Sequence, residues 1–385
     1  MDVSPQSTMP GRRGGFASRL KRLAGAAAAL VFAAGAAVAL APAPAQAAGP
    51  YGSAFVWLDT PDASMCVVPA EHQWNSSSPW TPVNEVCQDD IGQYSVLLPG
   101  LAASAGTVQV TAYGSDSAHC KVASWAPAGT NQRIRVRCFT AAGAPVDSQF
   151  TLSYTNLTGT GGYPLAYAFN SQPTTADYTP PLNYQFNSTG ASNTITKLSG
   201  AGRYMVKLPG LAAASAGNVQ VTAYGPGSEW CTVWNWGPNG TAQHVQVQCY
   251  NAAGALVDSK FTVSYVRNGN ILGRSVCCSS DGHPTAYALA NNPTAASYVP
   301  APAFKFGFSP TGLIKRLSTG RYEVDDNWSS EQGTLHVTAS GGGTARCKLE
   351  SWGTGSKALV RCTTPSGEPT DAIYTFHHVG PFVIG

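Results

Sequence analysis

Residues 219–225 read Val-Gln-Val-Thr-Ala-Tyr-Gly, and the same seven residues stand at 108–114. A looser copy follows as Leu335-His336-Val337-Thr338-Ala339-Ser340-Gly341. Other short runs keep their order around each copy. Leu98-Pro99-Gly100-Leu101-Ala102-Ala103 returns as Leu208-Pro209-Gly210-Leu211-Ala212-Ala213. Val146-Asp147-Ser148 returns as Val257-Asp258-Ser259 and as Thr370-Asp371-Ala372. The period is about 110 residues, and three repeats fill 51–155, 163–266 and 283–379, with a connector at 267–282.

Within a repeat the hydrophobic period is two. His244-Val245-Gln246-Val247-Gln248-Cys249 alternates strictly, as do Arg133-Ile134-Arg135-Val136-Arg137-Cys138 and Lys260-Phe261-Thr262-Val263-Ser264-Tyr265. Alternation carried by β-branched and aromatic residues predicts half-buried strands. Turn chemistry separates them at 237–240 (Gly-Pro-Asn-Gly), 251–254 (Asn-Ala-Ala-Gly) and 187–190 (Asn-Ser-Thr-Gly). No helical period appears after residue 50, so the chain reads as all-β. In repeat 2 the second half places strands near 218–224, 231–236, 243–250 and 260–266, and the first half has the same rhythm. Both halves end on a strand led in by an aromatic, Tyr204 in one and Phe261 in the other. Six four-stranded antiparallel meanders follow from this reading. The half-repeat favours a six-bladed β-propeller made of three two-blade repeats. The alternative is three tandem β-sandwich domains, which the long polar connector favours.

The first 47 residues read as an address. Arg12, Arg13, Arg19, Lys21 and Arg22 precede an apolar run from Leu23 to Leu40, and Ala45-Gln46-Ala47 supplies an A-x-A cleavage site. The arginine pair leaves both export routes, Sec and twin-arginine, open. Of the 385 residues only 11% are charged, under half of the usual ~25%. Five of the 23 basic and one of the 20 acidic residues lie in the leader, leaving 18 and 19, a net charge of −1. Such a balance excludes a basic nucleic-acid binder and a charge-driven disordered chain, and no membrane partner is expected after cleavage.

Exported chains with an even number of cysteines carry disulfides. Cys120 and Cys138 are 18 apart, Cys231 and Cys249 are 18 apart at the same repeat position, and Cys347 and Cys362 are 15 apart there. One bridge per repeat is expected. Cys66 and Cys87, found in repeat 1 alone, would close the loop that holds Trp74 and Trp80. Cys277 and Cys278 sit side by side in the connector, as a vicinal bridge or a link to a second chain. The spacings do not suit zinc, and no metal or other cofactor is expected.

Trp125, Trp236 and Trp352 each lie five residues after the first repeat cysteine, so packing is their expected role. Aromatics outside that position, Trp57, Trp74, Trp80, Trp230, Trp234 and Trp328, suit sugar stacking, and Trp74-Asn75-Ser76-Ser77-Ser78-Pro79-Trp80 is the loop best fitted to it. Trp57, Trp74, Trp80 and Trp234 are therefore candidate binding residues. Arg133, Arg135 and Arg137 line one strand face, a stripe suited to an anionic cell-wall polymer or phosphate. Asp89-Asp90 and Glu323-Val324-Asp325-Asp326 lack calcium-loop spacing. The seven histidines, at 72, 119, 244, 283, 336, 377 and 378, match no H-E-x-x-H zinc motif, and no G-x-S-x-G or Cys–His arrangement is present. No catalytic residue is assigned.

Asn187-Ser188-Thr189-Gly190, Gly202-Arg203-Tyr204, Leu208-Pro209-Gly210-Leu211, 217–225 and 257–263 recur through the mature chain. On these runs it resembles a group of exported repeat proteins of high-GC bacteria with unassigned function. The resemblance implies repeat boundaries and export, and no activity. The expected function is a secreted, disulfide-stapled, non-catalytic protein binding a glycan or another protein at or near the cell envelope. The alternatives are an extracellular propeller-type hydrolase or lyase acting on polysaccharide, and a structural, disulfide-linked surface protein.

Overall fold

The computed structural model describes residues 51–380 except 63–65, 161, 215–216, 274–283, 309–310, 327–332 and 355–356. The expected leader at 1–47, the Cys277-Cys278 pair and Trp328 lie outside the described residues. The chain is all-β. Among the described residues the helical turns are two short 3-10 segments, Leu182–Tyr184 and Pro302–Phe304, and no helix is long and apolar enough to cross a membrane.

Strands stand where the alternation predicts them, at Asn218–Tyr224, Trp230–Asn239, Ala242–Tyr250 and Lys260–Val266 in repeat 2. Their pairing departs from the expected meanders. Asn218–Tyr224 pairs antiparallel with Lys260–Val266, Trp230–Asn239 pairs with Ala242–Tyr250, and the chain changes sheet between Tyr224 and Trp230. Three large sheets replace the six small ones. The first runs Ser297–Tyr298, Ile314–Ser318, Arg321–Asp325, Lys357–Thr363, Arg346–Thr354, Thr107–Tyr113, Gln149–Asn156, Gly52–Leu58, Gln73–Asn75. The second runs Asp177–Tyr178, Thr194–Lys197, Arg203–Leu208, Ala242–Tyr250, Trp230–Asn239, Thr334–Ser340, Ile373–Val379, Thr285–Ala290, Lys305–Phe306. The third runs Glu85–Asp90, Gln93–Leu98, Asn131–Phe139, His119–Ala128, Asn218–Tyr224, Lys260–Val266, Leu165–Asn170, Gln185–Asn187. Each repeat is split into an inner layer (in repeat 1 Gly52–Leu58, Gln73–Asn75, Thr107–Tyr113 and Gln149–Asn156) and an outer layer (Glu85–Asp90, Gln93–Leu98, His119–Ala128 and Asn131–Phe139), each taking strands from both sequence halves. Each sheet joins the outer layer of one repeat to the inner layer of the next, and repeat 3 closes the ring onto repeat 1. Sequence similarity within a repeat cannot reveal such pairing, because the partner strand lies in a different repeat.

The seams are parallel. Gly225, Gly341 and Gly114 donate their backbone N–H groups to the carbonyls of Val122, Val233 and Leu349 at 2.9, 3.1 and 3.0 Å. Each recurring tryptophan packs across a seam. Trp125 meets Phe169, Tyr184 and Tyr224 of repeat 2, and Trp352 meets Trp57, His72 and Tyr113 of repeat 1. Trp236 meets Phe304 of repeat 3.

Each repeat clamps its own core between its inner and outer layers. Tyr94 of one half meets Phe150 of the other, Tyr204 meets Phe261, and Tyr322 meets Tyr374, with ring centroids 5.2 to 5.3 Å apart. The aromatics that lead in the closing strands of the two sequence halves thus face one another across the core. Such a pair adds about 0.5–1.5 kcal/mol beyond its burial. The four expected bridges are formed, at Cys66–Cys87, Cys120–Cys138, Cys231–Cys249 and Cys347–Cys362, and the last three join directly opposed residues of an antiparallel pair.

The inner strands Thr107–Tyr113, Asn218–Tyr224 and Thr334–Ser340 meet one another at the centre of the ring. Val110, Val221 and Val337 donate backbone N–H groups to the hydroxyls of Thr222, Thr338 and Thr111, at 3.0, 3.2 and 3.1 Å. The hydroxyls of Thr151, Thr262 and Thr375 in turn donate to the carbonyls of Leu335, Val108 and Val219. This cyclic set defines an approximate threefold axis through buried polar side chains. Its members are all hydrogen-bonded, as burial of polar groups requires.

Candidate functional site

Arg133, Arg135 and Arg137 belong to Asn131–Phe139, where Ile134, Val136 and Cys138 point into the core and the arginines point out. Opposite them in register lie Leu97, Ser95 and Gln93. Together they line a surface groove of about 530 Å³ whose other polar members include Asp89 and Ser124. The loop of repeat 2 closes one end, where Arg137 donates to the Pro226 carbonyl at 2.9 Å and to Gln93 Oε1 at 3.0 Å. Asp89 accepts the Ser95 hydroxyl at 2.6 Å. Arg133 and Arg135 are exposed, and no ion pair among the described residues engages either. Three guanidiniums against one carboxylate leave the groove cationic.

The same face differs in the other repeats. Repeat 2 places His244, Gln246 and Gln248 at the arginine positions. Repeat 3 places Lys357, Leu359 and Arg361 there. Its charges are paired internally, Arg321 and Arg361 with Glu350 and Lys357 with Glu323. Neutralisation within the face is what repeat 1 lacks.

The candidate tryptophans do not join this groove. Trp74 is buried, 5% exposed, and stacks on Phe55. Phe186 on Tyr167 and Phe306 on Tyr287 repeat that contact, so Trp74 occupies a recurring core position and presents no face to a sugar. Trp57 is half-buried in the seam cluster with His72, Tyr113 and Trp352. Trp230 is buried on Tyr250. Trp80, at 63%, and Trp234, at 45%, are the exposed members, and they lie on different repeats. Of the acidic runs, Asp326 is fully buried and accepts from His378 Nδ1 at 2.8 Å, while Asp147, Asp258 and Asp371 hold turns.

A second cluster was not foreseen from sequence. His119, Trp230 and Arg346 each precede the first repeat cysteine, and Lys121, Thr232 and Lys348 each follow it. All six line a cavity of about 60 Å³ with Ala112, Ala223 and Ala339 of the inner strands. Lys121 pairs with Glu229 at 2.8 Å and Lys348 pairs with Asp116. Burial pulls both ammonium groups below their usual range, and the carboxylates oppose it. The available signal was the identity of the residues flanking the cysteines, which varies between repeats while the cysteines stay fixed.

Compared with known proteins, the chain matches no family model, no curated protein and no solved structure.

Proposed function

We propose that the protein is exported and binds an acidic polymer of the cell envelope, without catalysis, along the groove of repeat 1. The observation that carries this reading is the pair of exposed guanidiniums at Arg133 and Arg135, held on a strand with no carboxylate partner among the described residues. Alternate residues of a strand lie roughly 7 Å apart, so the stripe offers cationic points at a spacing that suits an extended chain bearing phosphodiesters or uronates. Asp89, Gln93, Ser95 and Ser124 add acceptors and donors for hydroxyls. Four disulfides support an oxidising compartment, and the basic, apolar and A-x-A order of 1–47 supports export. The separate core of each repeat favours reading the architecture as three two-sheet sandwiches fused edge to edge in a ring over a six-bladed propeller.

Binding is tested with immobilised protein, a poly(glycerol phosphate) strand and polygalacturonate as probes, and neutral dextran as control. The double variant Arg133→Ala/Arg135→Ala is expected to bind at least one acidic probe about tenfold more weakly, a loss of about 1.4 kcal/mol. Affinity of the wild type is expected to fall with salt, as exposed charges are screened within ~10 Å at 0.1 M. Equal binding by variant and wild type, or binding of dextran at the same strength, overturns the proposal.

A further inference from the structure

The cavity on the threefold axis is built around one cation too many. Lys121 is 1% exposed and Lys348 is 6% exposed, and each has a carboxylate. Arg346, 6% exposed, has none among the described residues. Its Nη1 donates to His119 Nδ1 at 2.9 Å, and its Nη2 donates to the carbonyls of Ala141, Thr364 and Pro365. Its guanidinium lies 4.5 Å from the Trp230 ring centroid. Every one of these partners is neutral. His119 donates through Nε2 to the Ser228 carbonyl at 2.9 Å while its Nδ1 accepts from Arg346, which makes it the uncharged tautomer. Arg346 Nε is buried and has no hydrogen-bond partner among the described residues. Each lysine ammonium carries three N–H groups and is seen to meet one protein acceptor. Among the described residues that line or pair with the lining, two carboxylates against three cations leave one net positive charge and several N–H donors short of a protein acceptor.

An arginine cannot shed its proton at ordinary pH. A buried charge without a counter-charge is strongly destabilising. Burial lowers the Arg346 pKa to about 10, still well above neutrality. The cavity holds about 60 Å³, against the 10–15 Å³ or so that one water needs, so a single small ion fits with its remaining hydration. Glu229 and the exposed Asp116 bind the two lysines and would repel a multiply charged species. We infer that the axial cavity, formed by Arg346, Lys121, Lys348, His119 and Trp230, is a binding site for one small monovalent inorganic anion, chloride being the natural occupant. The site lies apart from the open groove of repeat 1, and it needs all three repeats, since each supplies part of the wall.

The test uses the full mature chain. Thermal midpoints are compared in sodium chloride, sodium bromide and sodium gluconate at equal ionic strength, gluconate being too large for the cavity. Chloride and bromide are expected to raise the midpoint by about 3 °C or more between 1 and 100 mM, as a ligand of the native state does. Gluconate is expected to leave it unchanged. Arg346→Met should lose the halide response, and Arg133→Ala/Arg135→Ala should keep it, which separates this site from the groove. Because Arg346→Met also removes packing against Trp230, a bromide-soaked crystal of the wild type provides the deciding measurement. An anomalous peak within hydrogen-bonding reach of Arg346 Nε supports the site. Its absence overturns the inference whatever the midpoints show.

Discussion

His336 stands on the axis where repeats 1 and 2 carry Gln109 and Gln220. In those repeats the glutamine oxygen accepts a threonine hydroxyl at 2.8 Å, from Thr222 and Thr338. Thr111 meets His336 Nδ1 at 3.4 Å in the same arrangement, so the ring must stay neutral to accept. Burial holds the His336 pKa down at about 3. His119 is also lowered to about 3, by burial and then by the Arg346 charge with Lys121 and Lys348 behind it. His377 lies well below its usual range through burial, with His336 and His378 adding to it. An unfolded histidine titrates near 6.5. Between about 6.5 and 3 the unfolded chain therefore takes up protons that the native state refuses. The stability these groups contribute is complete above about 6.5 and is lost as pH falls toward 3, at up to about 1.4 kcal/mol per pH unit for each. His336→Gln, which restores the residue type of the other repeats, is expected to fold and to lose stability less steeply than wild type between pH 6.5 and 5, by about one histidine's share. Urea titrations at a series of pH values check this, and identical slopes would contradict it. The axis itself was hard to read. Val-Gln-Val-Thr-Ala predicts a half-exposed strand, yet both faces are buried, one in a repeat's core and one against two other repeats. Polarity in a sequence does not distinguish water from a buried hydrogen-bond ring.

Elements carry their own signatures, and the recurrent aspartate is the clearest. Asp258 accepts the Gly202 N–H at 2.7 Å and the Tyr204 hydroxyl at 3.2 Å, and that hydroxyl accepts the Ser259 N–H at 3.1 Å. Asp147 with Gly92 and Tyr94, and Asp371 with Gly320 and Tyr322, repeat the corner. Gly202 has φ of +67°, and a Cβ there would sit 2.5 Å from the Cys249 carbonyl oxygen, so only glycine fits. Removing the carboxylate orphans a backbone donor and the tyrosine hydroxyl at once. Asp258→Ala is expected to lower stability by about 1–3 kcal/mol, with Tyr204 still on Phe261. A chemical melt that shifts by less than half of that would show water replacing the carboxylate at no cost. From sequence, recurrence in every repeat points Asp258 to a turn or cap role and to nothing more. Its partner Tyr204 lies 54 residues away on the facing layer, and nothing local connects the two. The cysteine pairs were legible for the opposite reason, since strands joined by one short turn keep their opposed residues at fixed spacing. The arginine stripe was legible through strict alternation. The groove around it was not, because Asp89, Gln93 and Ser95 come from other strands and its end comes from repeat 2.

At the scale of the molecule the consequence of shared sheets is that no repeat is complete. Residues 163–266 cut from the chain would expose the free edge of Asn218–Tyr224 on one side and that of Trp230–Asn239 on the other. Thr222 would lose Gln109, Gln220 would lose Thr338 and Thr375, and Trp236 would lose Phe304. Buried polar groups left without partners cost about 1–3 kcal/mol each, which a domain of this size with a stability of only 5–15 kcal/mol cannot sustain. Each lost contact has a counterpart within the same repeat, however. Thr222 of one copy can meet Gln220 of the next, and Trp236 can meet Phe169, Tyr184 and Tyr224, the set that Trp125 meets in the intact chain. The isolated fragment 163–266, oxidised at Cys231–Cys249, is therefore expected to be largely unfolded at low concentration and to gain strand structure only as it assembles into a closed trimer. Sedimentation equilibrium should give three times the fragment mass, and circular dichroism should depend on concentration over the same range. A monomer with the full strand signal at every concentration would mean that a repeat needs no neighbour, and that the ring is an arrangement of finished domains.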